Sequence, residues 1–404
     1  MREVRRLLPP LDIISAPTSM QRLKDRGFSR AMERVLGMDP RDIIAEVKAS
    51  GIKGRGGAAF PTGFKWESVY EAPGGNRYVV MNADESELGT FKDRALLEYD
   101  PLGPLVGMLI AAHAVGAKKA YCYIRGEYRP IERQMVNALQ TLADCGWVGP
   151  HAVEVEVRRG AGAYIAGEET ALLNSIEGKR AEPRVKPPFP TSKGLWGDPT
   201  LIQNVETLAN VTLLFAHDVE WFRQCGSPQT PGTKLVSLSG HVKNPGVYEV
   251  PFGFPMADII ADPELGGGIT GSGRLRAILL GGAAGTFLSP DQISATVLDY
   301  GSLGTFDASI GSGAIMVFDD SVDLSWVLRK LAHFFADESC GQCVPCRIGT
   351  RRIVEMLAQG GLYSRVQDLR DLAQAMRDAS ICGLGQTAPT ALLSILDRPN
   401  WQGA

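Results

Sequence analysis

The stretch "NRYVVMNADESELGTFKDR", residues 76–94, is an apolar run that breaks off into acids. Tyr78 to Met81 form a run too short for a helix and read as a buried strand. Working outward, the same texture repeats on both sides. "DPRDIIAEVKASG" reads as a helix capped by Asp39 with Pro40 in its first turn, "PLVGMLIAAHAVGA" and "YRPIERQMVNALQTLADCG" as helices, and "KKAYCYIRG" and "HAVEVEVRRG" as strands. Alternation of this kind requires crossovers, and so an α/β fold with a mainly parallel sheet covered on both faces. Ligands in such sheets bind beyond the carboxyl ends of the strands, which makes the loop from Asn82 onward a place for polar groups to converge. The Asn82 amide both donates and accepts, as a heterocyclic edge requires, and Asp84, Glu85 and Glu87 suit ribose hydroxyls. The same acids would also complement the dipole of a following helix.

Near residue 230 the texture changes. "TKLVSLSGHVKNPGVYEV" gives two short strands about the turn Asn244-Pro245-Gly246, followed by a brief helix "PMADIIAD" and the strand "LRAILLGG", a small α+β module. After "GAIMVFDD" the chain reads as helices to its end. The 404 residues carry a formal net charge of -3 with 22% charged residues, so charge selects neither nucleic acid nor an anionic membrane as partner. No apolar run reaches the ~20 residues that span a bilayer. The N-terminal "MREVRRLLPPLDII" is interrupted by Pro9, Pro10 and Asp12 before it reaches signal-peptide length, and the expected location is cytoplasmic. Seven cysteines are too few, and odd in number, for a disulfide scaffold.

Three further stretches carry chemistry. "GIKGRGGAAFPTGFKW", residues 51–66, contains Gly54-Arg55-Gly56-Gly57-Ala58-Ala59, which fits G-x-G-x-x-G/A, yet a helix rather than a strand precedes it. It reads either as a phosphate-cradling loop helped by Arg55 and Lys65, with Phe60 and Trp66 to cover a ring, or as a flexible glycine turn. In "GAGAYIAGEETALLNSIEGKRAEPRVKPPFP", residues 160–190, a glycine loop after a strand leads into a helix opened by Glu168 and Glu169. Those acids oppose a phosphate there, so a ring or ribose is the better guest, with Lys186 supplied by the proline-rich segment; a plain connector is the other reading. Finally, "ESCGQCVPCR", residues 338–347, sets Cys340, Cys343 and Cys346 in C-x-x-C-x-x-C, and Cys382 in "SICGLG" offers a fourth thiolate. Zinc sites usually draw ligands as two separated pairs, so a cubane iron-sulfur cluster matches better, with zinc or inert thiols as the other readings.

Taken in order, "GRGGAAFPTGFKW", "NADESELGTFKDR", "GAYIAGEETALLNSIEGKRAEPRVKPPFP", "GLWGDPTLIQNVETLAN" and "ESCGQCVPCR" with "ICGLG" resemble the NADH-binding flavoprotein subunit of respiratory complex I. They are similar too to the diaphorase subunits of NAD-reducing hydrogenases and NAD-dependent formate dehydrogenases. The resemblance implies a Rossmann-like FMN- and NADH-binding domain over residues 1–230, a ubiquitin-like β-grasp domain over 231–318 and a helical domain over 319–404 holding one 4Fe-4S cluster. It places NAD(H) at Gly54, Arg55, Gly56, Gly57, Ala58, Phe60, Glu87, Glu169 and Lys186, with Glu169 orienting the nicotinamide. It places FMN at Lys65, Asn82, Asp84, Tyr164, Gly167, Glu168, Gln203, Asn204 and Thr207, and the cluster on Cys340, Cys343, Cys346 and Cys382. The implied activity is hydride transfer from NADH to FMN, then single electrons through the cluster, with no side-chain acid or base.

Implied partners are a 2Fe-2S thioredoxin-like subunit and a larger iron-sulfur subunit, with no nucleic acid and no direct membrane insertion. The implied setting is cytoplasmic, or peripheral on the cytoplasmic face of the inner membrane through the complex. Ala59, Ser68, Leu88 and Gln203 depart from the family pattern at the glycine loop, the adenine wall, the acidic loop and a flavin-phosphate contact. A soluble hydrogenase or formate dehydrogenase diaphorase, or a non-catalytic iron-sulfur interaction subunit, are the alternatives.

Overall fold

A computed structural model describes residues 4–9, 16–359 and 365–396; parts of the N-terminal stretch read above, 1–3 and 10–15, lie outside them. Four strands, β1 (Tyr78–Ala83), β2 (Lys119–Ile124), β3 (Glu154–Arg159) and β4 (Thr200–Asn204), form a wholly parallel sheet in the order β3-β2-β1-β4. The aliphatic run that begins β1 is buried on both faces, whereas β3, with its alternating charges, is a half-exposed edge. Helix Pro40–Ser50 has its N-cap at Asp39, whose side chain accepts from Arg41 N. Helix Leu102–Val115 is buried almost throughout and packs against helix Val205–Ala216 at the centre of the largest apolar core.

β4 was not legible as a strand in "GLWGDPTLIQN", and its placement matters most. The chain builds β1, β2 and β3 outward in one direction and then sets β4 on the other side of β1. The reversal opens a crevice at the carboxyl ends of β1 and β4, the place where open α/β sheets bind ligands. Register pairs Asn82 with Asn204 across it.

A second sheet combines β5 (Thr233–Gly240), β6 (Gly246–Pro251), β7 (Leu275–Leu280), β8 (Thr286–Leu288) and β9 (Ala314–Asp319) in the order β6-β5-β9-β7-β8. Its β5–β9 pair is parallel and the rest antiparallel, with helix Met256–Ala261 against its own apolar core, the β-grasp arrangement. Helices Leu324–Glu338, Val344–Ala358, Val366–Ala379 and Thr390–Leu396 pack into a third apolar cluster, which also takes in Ala277, Leu279 and Phe287 from the second sheet. Among the described residues no single helix is long and apolar enough to cross a membrane.

Candidate active site

Two cavities meet at the crevice between β1 and β4. One, of about 610 Å³, lies between the acidic loop, the glycine loop and segments of the second sheet; the other, of about 480 Å³, lies between the glycine loop and the segment 186–191. Gly56, Ala58, Asn82, Gly167, Glu168 and Asn204 line both, so together they form one groove. Arg55, Gly57, Asp84, Glu87 and Tyr164 line the larger part; Gly54, Phe60, Lys65, Glu169, Lys186, Gln203 and Thr207 line the smaller.

Local geometry explains how these side chains are held. Asn82 leaves the end of β1 and donates from Nδ2 to Gly167 O at 2.9 Å, while its Oδ1 accepts from Asp84 N at 3.1 Å. A side chain at Gly167 would begin only 3.2 Å from Asp84 O, so the loop carrying Tyr164 closes on the acidic loop because glycine stands there. Burial pushes Asp84 up to about 7, opposed by a bond from Ser86 Oγ and by Arg125. Its Oδ1 is buried without a partner, an acceptor left for a ligand donor.

The acids at the third motif behave differently from one another. Glu168 caps helix Glu169–Ile176, its Oε2 accepting from Thr170 N at 2.8 Å and Ala171 N at 3.0 Å, so a carboxylate already fills that helix start. Lys186 Nζ bridges Glu168 at 2.9 Å and Glu169 at 3.2 Å, and Lys65 Nζ reaches Glu169 at 3.2 Å. Burial pushes the Glu169 carboxyl up, but Lys65 and Lys186 outweigh it and hold it below the usual range. Lys65, expected at a flavin phosphate, thus stands with Glu169 in the smaller part.

Glu87, expected at the nicotinamide, is tied across to the second sheet. Its Oε1 accepts from Ala283 N at 2.6 Å and Ala284 N at 3.3 Å, and its Oε2 from the Tyr164 hydroxyl at 2.6 Å. Burial raises both the Glu87 carboxyl and the Tyr164 phenol. Arg55, expected to offer charge to a phosphate, is only 1% exposed. It donates to Pro231 O at 3.2 Å and lies 4.4 Å over the Phe252 ring, so its charge acts from beneath the loop.

Reading the sequence missed the far wall: Gly281, Ala284, Gly285 and Thr286 after β7, Asp307, Ser309, Gly311 and Ser312 before β9, and Gly383, Thr387 and Thr390 beside the last cysteine. The glycine density of "GGAAG" after a strand was the one signal present.

Cys340, Cys343, Cys346 and Cys382 line one small cavity with Ile165, Pro183, Ser339, Ile381 and Leu384. Helix Val344–Ala358 starts at Cys343, and Cys382 opens the short helix Gly383–Thr387, with the amides of Leu384 and Gly385 directed at its sulfur. Burial pushes the thiols of Cys346 and Cys382 up to about 11. Four thiols around one cavity, three of them in C-x-x-C-x-x-C and one remote, suit a cubane cluster better than the paired ligands usual for zinc. Ile165 and Leu384 line both this cavity and the groove, and Glu338 Oε2 accepts from Tyr164 N at 2.9 Å, joining the two floors.

Residues 47–213 match the family described as the Nuo51 FMN-binding domain, and residues 326–399 the NADH-ubiquinone oxidoreductase-F iron-sulfur binding region. The chain is 39% identical over 383 residues to the F subunit of NADH-quinone oxidoreductase from Mycobacterium tuberculosis (strain ATCC 25618 / H37Rv), covering 91% of this chain and 85% of that one. It is 37% identical to NADP-reducing hydrogenase subunit HndC of Solidesulfovibrio fructosivorans, covering 92% and 77%. Its structure is similar to a chain of an NAD+-reducing [NiFe]-hydrogenase in the H2-reduced state, with a TM-score of 0.85 at 34% identity, covering 100% of this chain and 67% of that one.

Proposed function

From the premise that the chain belongs to the family of NADH-quinone oxidoreductase F subunits, we propose how its groove and its cysteine cavity divide the work of NADH oxidation. The chain is an electron-input subunit with FMN and a 4Fe-4S cluster as cofactors and NADH as substrate. When bound, FMN supplies the exchange between a hydride pair and single electrons. The protein's own task is orientation, and no side chain needs to act as acid or base.

The flavin ring belongs beside Asn82, Asp84, Tyr164, Gly167 and Glu168, where an amide edge and an unpartnered carboxylate oxygen supply its hydrogen bonds. Its phosphate belongs at Gln203, Asn204 and Thr207, at the start of helix Val205–Ala216. The Gln203 Nε2 donor is buried and unpartnered beside that helix start, so this departure from the family pattern still offers a bond. The dinucleotide belongs along Gly54, Gly56, Gly57 and Ala58, with Phe60 as a stacking face and Glu169 held by Lys65 and Lys186. Cys340, Cys343, Cys346 and Cys382 hold the cluster as thiolates. The units proposed are 1–230, 231–318 and 319–404, of which 1–3, 10–15, 360–364 and 397–404 lie outside the described residues, and Val4 N and Leu7 N bond to Glu249 of β6.

The observation that carries this reading is the shared wall of Ile165 and Leu384, which separates groove and cysteine cavity by one layer of side chains. Electrons leaving the cluster require partner subunits, and those proposed are a 2Fe-2S thioredoxin-like protein and a larger iron-sulfur protein. The likeness to a hydrogenase chain favours a second reading, a diaphorase in a soluble hydrogenase, and an inventory of the proteins in the native complex separates the two. Chain reconstituted with FMN, iron and sulfide should reduce ferricyanide with NADH. Full flavin loading without NADH-dependent turnover overturns the assignment, and a parallel assay with NADPH defines the nucleotide preference.

A further inference from the structure

The groove stands on a buried charged layer that reaches it from the second sheet. Lys234 on β5 is 1% exposed, and its Nζ lies 2.5 Å from Glu206 Oε2. The next residue of β5 holds the other oxygen, Leu235 N donating to Glu206 Oε1 at 2.9 Å. Glu206 also takes Lys92 Nζ at 2.9 Å; Lys92 pairs with Asp93 Oδ1 at 2.6 Å; Asp93 Oδ2 accepts from Asn204 Nδ2 at 2.6 Å. The layer therefore ends on Asn204, which caps helix Val205–Ala216 and lines both parts of the groove. Arg55 closes it from the glycine loop, its Nε and Nη1 buried without a hydrogen-bond partner.

The charges do not cancel. Three cations, Arg55, Lys92 and Lys234, face two carboxylates, Glu206 and Asp93, while the third carboxylate near Lys92, Glu85, is pushed by burial and by Asp93 up to about 7 and so carries only part of a charge near neutral pH. The next carboxylate out, Glu85, is held by the amides of Asp93 and Arg94 and by the Tyr128 hydroxyl. Charge shielded from water acts over a longer reach than surface charge, so a surplus here is felt at the groove floor. Lys234 is the member that carries the surplus: burial draws its ammonium down to about 7 against the pull of Glu206, and a phosphate nearby would hold its proton in place.

We propose that Lys234 is a positioning residue of the flavin-phosphate subsite. Its charge gives the layer beneath Asn204 and Arg55 the surplus that retains a phosphate, so flavin retention depends on a residue of the second sheet that never touches the flavin. This rests on the flavin placement above, and goes beyond it in naming what makes the subsite cationic.

The test compares FMN with riboflavin, which lacks the phosphate, by fluorescence titration into the full chain stripped of flavin. In Lys234→Met, which keeps length and apolar stem, FMN should bind about tenfold more weakly with riboflavin binding unchanged. The double variant Lys234→Met, Glu206→Gln removes one charge of each sign and restores the surplus; its FMN affinity should return to within about threefold of the unaltered chain. A mere structural bridge predicts equal losses for FMN and riboflavin and no recovery in the double variant, and either result overturns the proposal. Equal affinity for FMN and riboflavin in the unaltered chain would instead overturn the phosphate placement, and the role of Lys234 with it.

Discussion

The cysteine cavity and the groove between the two sheets lie against one another and are built in opposite ways. Three of the four thiols come from seven consecutive residues, and the fourth follows beyond helices Val344–Ala358 and Val366–Ala379. The groove draws on the ends of β1 and β4, loops before and after them, and the rim of a separate sheet. A site made by one local turn fails when one ligand is lost. A site made by converging parts fails when the parts are displaced, even by residues that touch no ligand.

The sharpest way to separate the two is Cys343→Ser. The EPR signal of the reduced cluster should vanish, and electron delivery to partner proteins with it, while FMN binding stays within about twofold. A cluster signal unchanged in this variant would remove Cys343 from the ligand set.

Gly282→Val tests the groove from its far wall. Gly282 has φ +87, and a Cβ there would lie 2.4 Å from Glu87 Cγ, so valine adds backbone strain and expels Glu87 from the amides of Ala283 and Ala284. A cost of about 2–4 kcal/mol is expected, with flavin content falling and the cluster signal per iron retained. Normal flavin content at a lowered Tm would show that the wall serves folding alone. A smaller effect is expected from Lys186→Met, which frees Glu168 and leaves Glu169 to Lys65. KM for NADH should rise about tenfold with kcat within about twofold. A fall in kcat at constant KM would place Lys186 with the reacting atoms instead.

The same contrast explains what the sequence made legible. Periodicity marked β1, β2 and the helices between them through their buried apolar runs, and β3 through its alternation of valine and charge. Spacing marked the cysteines that line one cavity, because three of them fall within seven residues. β4 stayed hidden in "TLIQN": five residues between a glycine-rich turn and a helix carry too little pattern, although that strand sets Asn204 opposite Asn82. The role of Glu87 as a tie to Ala283 was equally beyond reach, since the partners stand about two hundred positions apart and the amides belong to the backbone. The burial of Arg55 follows from Phe252 and Pro231, neighbours that no local window contains.

Glu249 on β6 offers the smallest and most specific check on assembly at a distance. It is fully buried, accepts from the amides of Arg6, Leu7 and Leu8 at 2.9, 2.8 and 3.1 Å through Oε2, and takes the Thr233 hydroxyl on Oε1 at 2.7 Å. Burial pushes its carboxyl from 4.5 up to about 7, against those bonds. The folded state therefore binds this proton more tightly than the unfolded chain. The stability it contributes is fully present below about pH 4.5 and is lost as pH rises toward 7. Asp84 and Glu85, also raised to about 7 by burial, slope the same way, so the chain's Tm should fall between pH 5 and 7, with Lys234, a base drawn down to about 7, acting in the opposite sense above that. Glu249→Gln keeps an acceptor for the three amides and a donor for Thr233 but cannot ionise. Its Tm should fall less over that range, by a difference worth about 1 kcal/mol or some 1–2 °C, with the residual slope left to the groove carboxylates. If the two Tm profiles ran parallel, residues 4–9 would be held by packing and by Arg6 over Trp221, and the carboxylate would carry no pH-dependent part of the assembly.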